Sequence, residues 1–184
     1  MLIERARSVL LCIDIQEKLL PAVEDCAGLL QRAQWLISVS HDCGLPLIFS
    51  EQYPAGLGRT RPELLAIAPA APILEKVAFS CVRVSALPES LLEREQIIVA
   101  GMETHVCVLQ TVIDLLATGK TVFVVADACA SRSRFDHTLA LERMRAAGAI
   151  LVSREMVLFE LLRGAGDAQF KTLSKRYLQG EQPS

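Results

Sequence analysis

The stretch that decides the fold runs from Gln96 to Gly119 and reads QIIVAGMETHVCVLQTVIDLLATG. It opens with a short apolar run that a glycine ends, which is the pattern of a buried strand followed by a turn. From Thr104 the apolar residues repeat with the period of a helix, and Gly119 stands where a C-cap glycine belongs. This strand–turn–helix unit predicts an open parallel sheet. It places Cys107 in the first helical turn, just beyond the carboxyl end of a strand, where such sheets bind ligands.

Cys107 is a candidate nucleophile, because free N–H groups at a helix start favour the thiolate. The helix terminus contributes only roughly 0.3–1 kcal/mol. An unperturbed thiol with a pKa of about 8.5 is only about 3 % ionised at pH 7. Activation therefore requires a base or a cation from elsewhere in the chain. The alternative is that Cys107 is a small buried hydrophobic residue, the usual state of a free cysteine.

Length and composition exclude several classes of protein. The 184 residues, 52 % hydrophobic and 22 % charged, predict a single domain over 1–184. With a net charge of -2 and no run of Lys and Arg, we expect no nucleic acid partner. The apolar runs are shorter than the roughly 20 residues of a membrane-spanning helix, so we expect no membrane partner. Asp14 interrupts the one run that resembles a signal peptide, which indicates a cytoplasmic protein.

The six cysteines are spread through the chain without a C-x-x-C pair, which favours reduced thiols over disulfides or a structural zinc site. His41, His105 and His137 are equally scattered and predict no metal site. Neither a dinucleotide-binding G-x-G-x-x-G nor a P-loop motif occurs, so we expect no cofactor.

Two further segments place charged residues at the ends of predicted strands. The apolar run from Ser8 to Ile15 contains Asp14 near its end, as in a buried strand that points a carboxylate into a site. Asp14 could also cap a following helix. Lys76 lies among apolar residues at the exit of a short strand in the segment 72–81. It is either a surface lysine with a buried stem or a cation turned into the site.

The remaining segments alternate between strand and helix patterns. Strands are predicted at 45–50, 121–126 and 149–152, and helices at 28–43, 62–67, 87–95, 134–147, 156–162 and around 170–178. The segment DACASRSR after residue 126 is predicted to be a loop. The alternation predicts an α/β fold: a three-layer doubly wound sheet, mostly parallel, of about six strands in the order 3-2-1-4-5-6. Strands one and four are then neighbours, so Asp14 and Cys107 should face each other.

Two surface features complete the pattern. The arginines between 132 and 145 are interleaved with acidic residues. This pattern favours a solvated helical face over an anion-binding site. The helix at 156–162 is apolar enough to predict cover by another subunit, and hence a homo-oligomer.

Three motifs resemble those of the isochorismatase-like cysteine hydrolase superfamily. They are LCIDIQ with Asp14, EKVAFS with Lys76, and GMETHVCVLQT with Cys107. The segments SEQYPAGLG, ETHVCVLQT and VVADACASRS are most similar to those of small isochorismatase domain-containing proteins, and the resemblance covers nearly the whole chain. It implies a catalytic triad of Asp14, Lys76 and Cys107. It also implies a cis peptide between Met102 and Glu103, and an oxyanion hole made by the backbone N–H groups of Glu103 and Cys107.

The resemblance implies a hydrolase that attacks a small amide or related C–N carbonyl substrate and passes through a thioester on Cys107. Gln16, Tyr53 and Phe79 are the expected pocket residues. Nicotinamidases of the superfamily hold a metal with an Asp and two histidines, whereas the corresponding loop here, FSEQYP, has no histidine, so we expect no metal. Isochorismatases cleave a vinyl ether without a cysteine nucleophile. That reaction, and a non-catalytic binding or assembly protein that keeps the pocket, remain the alternatives.

Overall fold

The described part of the chain forms a sheet of six strands, all parallel to their neighbours. The computed structural model describes residues 1–84 and 87–179. The strands are β1 (Ser8–Ile13), β2 (Leu47–Gln52), β3 (Ile73–Lys76), β4 (Gln96–Met102), β5 (Thr121–Ala130) and β6 (Ile150–Val152). Their order is β3-β2-β1-β4-β5-β6, and every pairing is parallel. The predicted fold class, strand number and strand order are confirmed.

Helices cover both faces of this sheet. They are α1 (Cys26–Asp42), α2 (Pro54–Leu57), α3 (Pro62–Leu65), α4 (Glu89–Glu93), α5 (Leu109–Ala117), α6 (Arg134–Ala146), α7 (Arg154–Leu162) and α8 (Phe170–Leu178). A π-helical turn, Thr104–Val108, joins β4 to α5, and short 3₁₀ turns lie at Arg5–Arg7 and Leu20–Ala22. Within the described residues, no helix is both long and apolar enough to cross a membrane.

Strand β1 shows how the three layers arise. All six of its residues are buried, and successive side chains point to opposite faces. Leu10 and Cys12 join the apolar cluster that contains much of α1 and α7. Val9, Leu11 and Ile13 join the cluster on the other face, with residues of α5 and α6. A continuous apolar run therefore fits a strand that is covered on both sides.

Strand β5 is longer than its sequence predicts. The predicted strand ends at residue 126, and the next four residues are wrongly predicted to be loop. After a register shift, β5 pairs again with β4 through Cys129 and Ala130. Asp127 interrupts the apolar pattern there, because its carboxylate accepts a hydrogen bond from the Arg154 N–H at the start of α7, at 2.8 Å.

The close approach of β1 and β4 requires a glycine. Gly101 has a φ of +124°, and a Cβ atom on it would lie 2.1 Å from the Ile13 carbonyl oxygen. Ile13 and Gly101 are direct partners in the parallel register. Because β1 and β4 are neighbours, Asp14, which follows β1, and Cys107, which follows β4, lie at the same carboxyl edge of the sheet.

Candidate active site

Asp14 lies immediately after β1 in the left-handed region, with a φ of 53°, a conformation that Asp tolerates better than most residues. Its backbone N–H donates to the Ser50 carbonyl at 3.1 Å. The side chain is fully buried. Its Oδ1 accepts a hydrogen bond from the Ser50 hydroxyl at 2.6 Å, and its Oδ2 accepts one from Lys76 Nζ at 2.6 Å. No α-helix begins directly after Asp14, so the capping alternative does not apply.

Lys76 is the last residue of β3, and its ammonium group points into the site rather than to solvent. Its side chain is fully buried, and Nζ also donates to Gln52 Oε1 at 2.8 Å. Burial alone would lower the pKa of Lys76, but the Asp14 carboxylate keeps that pKa above its usual value. Asp14 and Lys76 therefore form a buried ion pair.

Cys107 lies in the π-helical turn beside this pair. Its Sγ is 4.0 Å from Gln52 Oε1, and only 4 % of the residue is exposed. Burial first, and then the Asp14 carboxylate, raise the pKa of the Cys107 thiol, while Lys76 opposes them. The resting form at neutral pH is therefore the thiol. The fold therefore brings Cys107 together with Asp14 and Lys76. Because so little of Cys107 is exposed, only small molecules can reach its sulfur directly.

The turn before Cys107 is held by ionic and backbone contacts. The peptide bond between Met102 and Glu103 is cis. The Glu103 carbonyl accepts hydrogen bonds from the Val106 and Val108 N–H groups at 3.0 and 3.2 Å. The buried Glu103 carboxylate accepts two hydrogen bonds from Arg132, at 2.9 and 3.0 Å. The oxyanion-hole role of the Glu103 and Cys107 N–H groups stays a prediction.

Two histidines also hold this turn. His105 Nδ1 lies 3.0 Å from Ser131 Oγ, and His137 Nδ1 lies 2.9 Å from Thr104 Oγ1. Burial is the main cause that lowers the pKa of His137, which favours its neutral form. The scattered spacing predicts solvated or core histidines. It gives no sign of these partners, which lie 26 and 33 residues away in the sequence.

The three expected pocket residues lie in different environments. Gln16 is fully buried. Its Nε2 donates to the carbonyls of Gln52 (3.0 Å) and Gly58 (2.7 Å), and its Oε1 accepts from the Gln52 N–H at 2.8 Å. Gln16 therefore ties the end of β2 to the following loop. Tyr53 and Phe79 are half exposed, and they follow Gln52 and Lys76 closely in the chain. Their role in a pocket stays a prediction.

Two surface grooves, of about 400 and about 410 Å³, lie away from the candidate active site. The first lies between α6 and α7, and the second is lined by residues of α1, β2 and the segment before β3. Neither groove includes Asp14, Lys76 or Cys107.

Sequence reasoning missed Ser50 and Gln52. The second strand is predicted to end at Ser50, but β2 continues to Gln52 through its parallel pairing with β3. The buried Glu51 carboxylate is satisfied there by hydrogen bonds from the Thr60 N–H and from Arg59. Ser50 and Gln52 are two residues apart on one strand, so their side chains point to the same face. That alternation was the available signal. Within the described residues, no group of three or more His, Cys, Asp or Glu side chains could hold a metal ion.

Comparison of the sequence with known proteins identifies the family of this chain. The isochorismatase domain model matches residues 8–156. The chain is 40 % identical over 173 residues to isochorismatase domain-containing protein 2A of Mus musculus, covering 91 % of this chain and 81 % of that protein.

Two solved structures share the fold over nearly the whole chain. A structure named MAR1 ribonuclease from Caenorhabditis elegans has 34 % identity and a TM-score of 0.93, covering 100 % of this chain and 95 % of that one. The Escherichia coli YcaC gene product, described as an octameric hydrolase of unknown specificity, has 26 % identity and a TM-score of 0.89, covering 97 % and 92 %. The chain therefore belongs to the isochorismatase domain family.

Proposed function

We propose that the protein is a metal-independent cysteine hydrolase that cleaves a small amide or related C–N carbonyl substrate. The observation that carries the proposal is the buried ion pair of Asp14 and Lys76 beside the Cys107 thiol. A buried ion pair is weak support for stability, because the cost of desolvation offsets the attraction of the charges. A role in chemistry gives a reason for its presence.

The first step is attack by the Cys107 sulfur on the substrate carbonyl. Because the pKa of the thiol is raised, the proton must leave as the carbon–sulfur bond forms. The Asp14 carboxylate takes that proton, and the carbonyl electrons move onto oxygen. The backbone N–H groups of Glu103 and Cys107 then donate to this oxyanion.

The second half of the reaction returns the enzyme to its starting state. The oxyanion collapses, the carbon–nitrogen bond breaks, and protonated Asp14 gives its proton to the leaving amine. Water then attacks the thioester and gives a proton to Asp14. The carbon–sulfur bond breaks, Asp14 returns that proton to the expelled sulfur, and the carboxylic acid leaves. Lys76 stays charged throughout and holds Asp14 in position.

Replacing the sulfur tests this mechanism. We expect Cys107→Ala to lower turnover of any amide substrate by about 10³-fold or more, because no covalent intermediate can form. Cys26→Ala, at a half-buried thiol on α1, is the matched control and should keep full turnover. Full turnover by Cys107→Ala would contradict covalent catalysis.

The same pair of variants separates the alternatives. The family name raises vinyl ether cleavage of the isochorismatase type, in which Asp14 acts as an acid without a nucleophilic thiol. That activity would survive Cys107→Ala and be lost in Asp14→Asn. A binding or assembly protein would show no turnover, and its Cys107 would react no faster with iodoacetamide than the other five thiols.

RNA cleavage is raised by the name of the C. elegans structure. The net charge of -2 and the 4 % exposure of Cys107 do not favour a polyanionic chain as substrate. We expect no degradation of single-stranded RNA. If the wild type degraded RNA and Cys107→Ala did not, RNA would replace the small amide as the proposed substrate.

A homo-oligomer is part of the same proposal. The YcaC gene product is described as octameric. Here Phe135 and Leu139 lie one turn apart on α6 with exposed side chains, as do Met156 and Phe159 on α7. The six free thiols favour the cytoplasm, a reducing compartment, as the place of action.

A further inference from the structure

Both oxygens of the Asp14 carboxylate have a hydrogen-bond donor. Lys76 Nζ donates to Oδ2, and the Ser50 hydroxyl donates to Oδ1, each at 2.6 Å. Ser50 is a residue of β2 that is 1 % exposed. The mechanism above gives Lys76 a role and leaves this second, uncharged donor without one.

The surrounding contacts hold Ser50 rigidly with respect to the site. Ser50 is paired with Ile13 of β1 and with Leu74 of β3, so its strand is fixed on both sides. The Asp14 N–H donates to the carbonyl of the same serine, which joins the two residues through backbone and side chain at once. On the same face, Gln52 Oε1 accepts from Lys76. Strand β2 therefore holds both members of the ion pair.

We propose that Ser50 is a positioning residue for the catalytic base: its hydroxyl stabilises the ionised Asp14 carboxylate and fixes its orientation beside the Cys107 sulfur. This inference rests on the proposed function and deepens it. Ser50 does not contact the reacting carbon; it acts through Asp14. A hydroxyl that donates to a carboxylate stabilises the charged form.

Three titratable groups face Asp14 from the packed elements. They are Lys76 from β3, Cys107 from the π-helical turn, and Cys81 from the segment after β3. Burial first, and then Asp14, raise the pKa of Cys81 to about 11, so both thiols are neutral at pH 7 and Lys76 carries the only charge among the three. Loss of the Ser50 hydroxyl should therefore remove one of the two donors that stabilise the ionised carboxylate, so alkylation that needs this ionised form should slow at a higher pH than in the wild type.

The test uses the rate of Cys107 alkylation by iodoacetamide across the acidic and neutral pH range, followed by peptide mass spectrometry. The variants are Ser50→Thr and Ser50→Val, which have nearly the same size and differ in the hydroxyl. In Ser50→Val we expect the acid-side fall in rate to move up by about one pH unit, because a hydrogen bond to a charged group is lost. Ser50→Thr should stay close to the wild type.

Ser40→Ala is the matched control, because Ser40 is a fully buried serine on α1 with no hydrogen-bond partner for its hydroxyl among the described residues. Its pH profile should equal that of the wild type. Should Ser50→Val not fold, Ser50→Ala takes its place with the same expectation.

The outcomes separate this inference from the proposed function. The rate of Cys107 alkylation in the wild type should fall as the pH is lowered. If the rate in Ser50→Val falls at the same pH, the positioning role of Ser50 is overturned and the cysteine mechanism stands. If wild-type Cys107 reacts like the other five thiols, or shows no acid-side fall, the proposed function fails and the inference fails with it.

Discussion

At the scale of single residues, the site depends on charges that the fold removes from water. The side chains of Asp14 and Lys76 are both fully buried. Removing one member of such a pair leaves an uncompensated charge, whereas replacing both members costs much less. The sequence around Lys76 fits an ammonium group in solvent as well as one turned into the site, because the lysine stem packs beside apolar residues in both positions. Only the resemblance to a family placed its ammonium group in the site.

A double-mutant cycle measures this dependence. We expect Lys76→Met to lower the free energy of unfolding by about 3–5 kcal/mol, because Asp14 is left buried and unpaired. Asp14→Asn/Lys76→Met should cost clearly less than the sum of the two single variants. Arg83→Met is the control, since Arg83 forms an exposed pair with Asp114 and should cost about 0–1 kcal/mol. Additive costs in urea denaturation would show that the pair is not coupled.

At the scale of elements, strand β2 and the loop after it position the ion pair. The apolar pattern predicted β2 only as far as Ser50, since Glu51 and Gln52 are polar. Glu51 is nevertheless fully buried, and its carboxylate accepts from the Thr60 N–H at 2.7 Å and from Arg59 at 2.9 Å. This contact holds the segment 53–60, which includes α2, against the end of the strand.

Glu51→Gln tests that contact through pH. Burial alone would raise the pKa of Glu51, but the hydrogen bonds from Thr60 and Arg59 lower it overall. The contribution of Glu51 to stability is therefore complete above its unfolded pKa of about 4.3 and is lost as pH falls through the lower folded value. We expect Glu51→Gln to lose about 1–3 kcal/mol at neutral pH. It should also lose less stability than the wild type on acidification. The exposed Glu155→Gln is the control, and equal acid sensitivity of Glu51→Gln and wild type would contradict the assignment.

The strands also show how far sequence reasoning reaches. Uninterrupted apolar runs were sufficient to place β1 and β4, because burial on both faces leaves a continuous pattern. Strand β4 nevertheless continues through Gly101 to Met102, past the glycine at which the sequence predicts its end. The polar residues at the ends of β2 and in the middle of β5 hid the last part of each strand. Their partners, Thr60 for Glu51 and Arg154 for Asp127, are tertiary contacts that no local pattern carries.

At the scale of the whole molecule, the alternation of strands and helices was sufficient to predict a doubly wound parallel sheet, since right-handed crossovers allow few arrangements. The order 3-2-1-4-5-6 is the common Rossmann-like order of such sheets, and alternation alone does not select it. The strand order brings Asp14 and Cys107 to one edge, but the packing of Ser50, Gln52 and Lys76 around them was not predictable from that pattern. It depends on side chains from four separate elements that meet at one edge. The exposed apolar residues of α6 and α7 likewise fit a surface that another subunit covers.

Light scattering at micromolar concentration tests the assembly. We expect a mass well above that of one chain for the wild type. Phe135→Asp/Leu139→Asp should lower it, because both side chains are exposed on one face of α6 and a buried charge is costly. Leu92→Asp, at an exposed residue of α4, should leave the mass unchanged. A wild-type monomer would contradict the proposed homo-oligomer.

The most direct test of the central claim is to look for the covalent intermediate itself. The protein is mixed with a library of small amides and nitriles, quenched in acid, and mapped by peptide mass spectrometry. We predict an acyl adduct on Cys107 that forms in the wild type and fails to accumulate in Asp14→Asn. A substrate that is turned over while Cys107 stays unmodified, or an adduct that forms equally on the other five thiols, would contradict the claim.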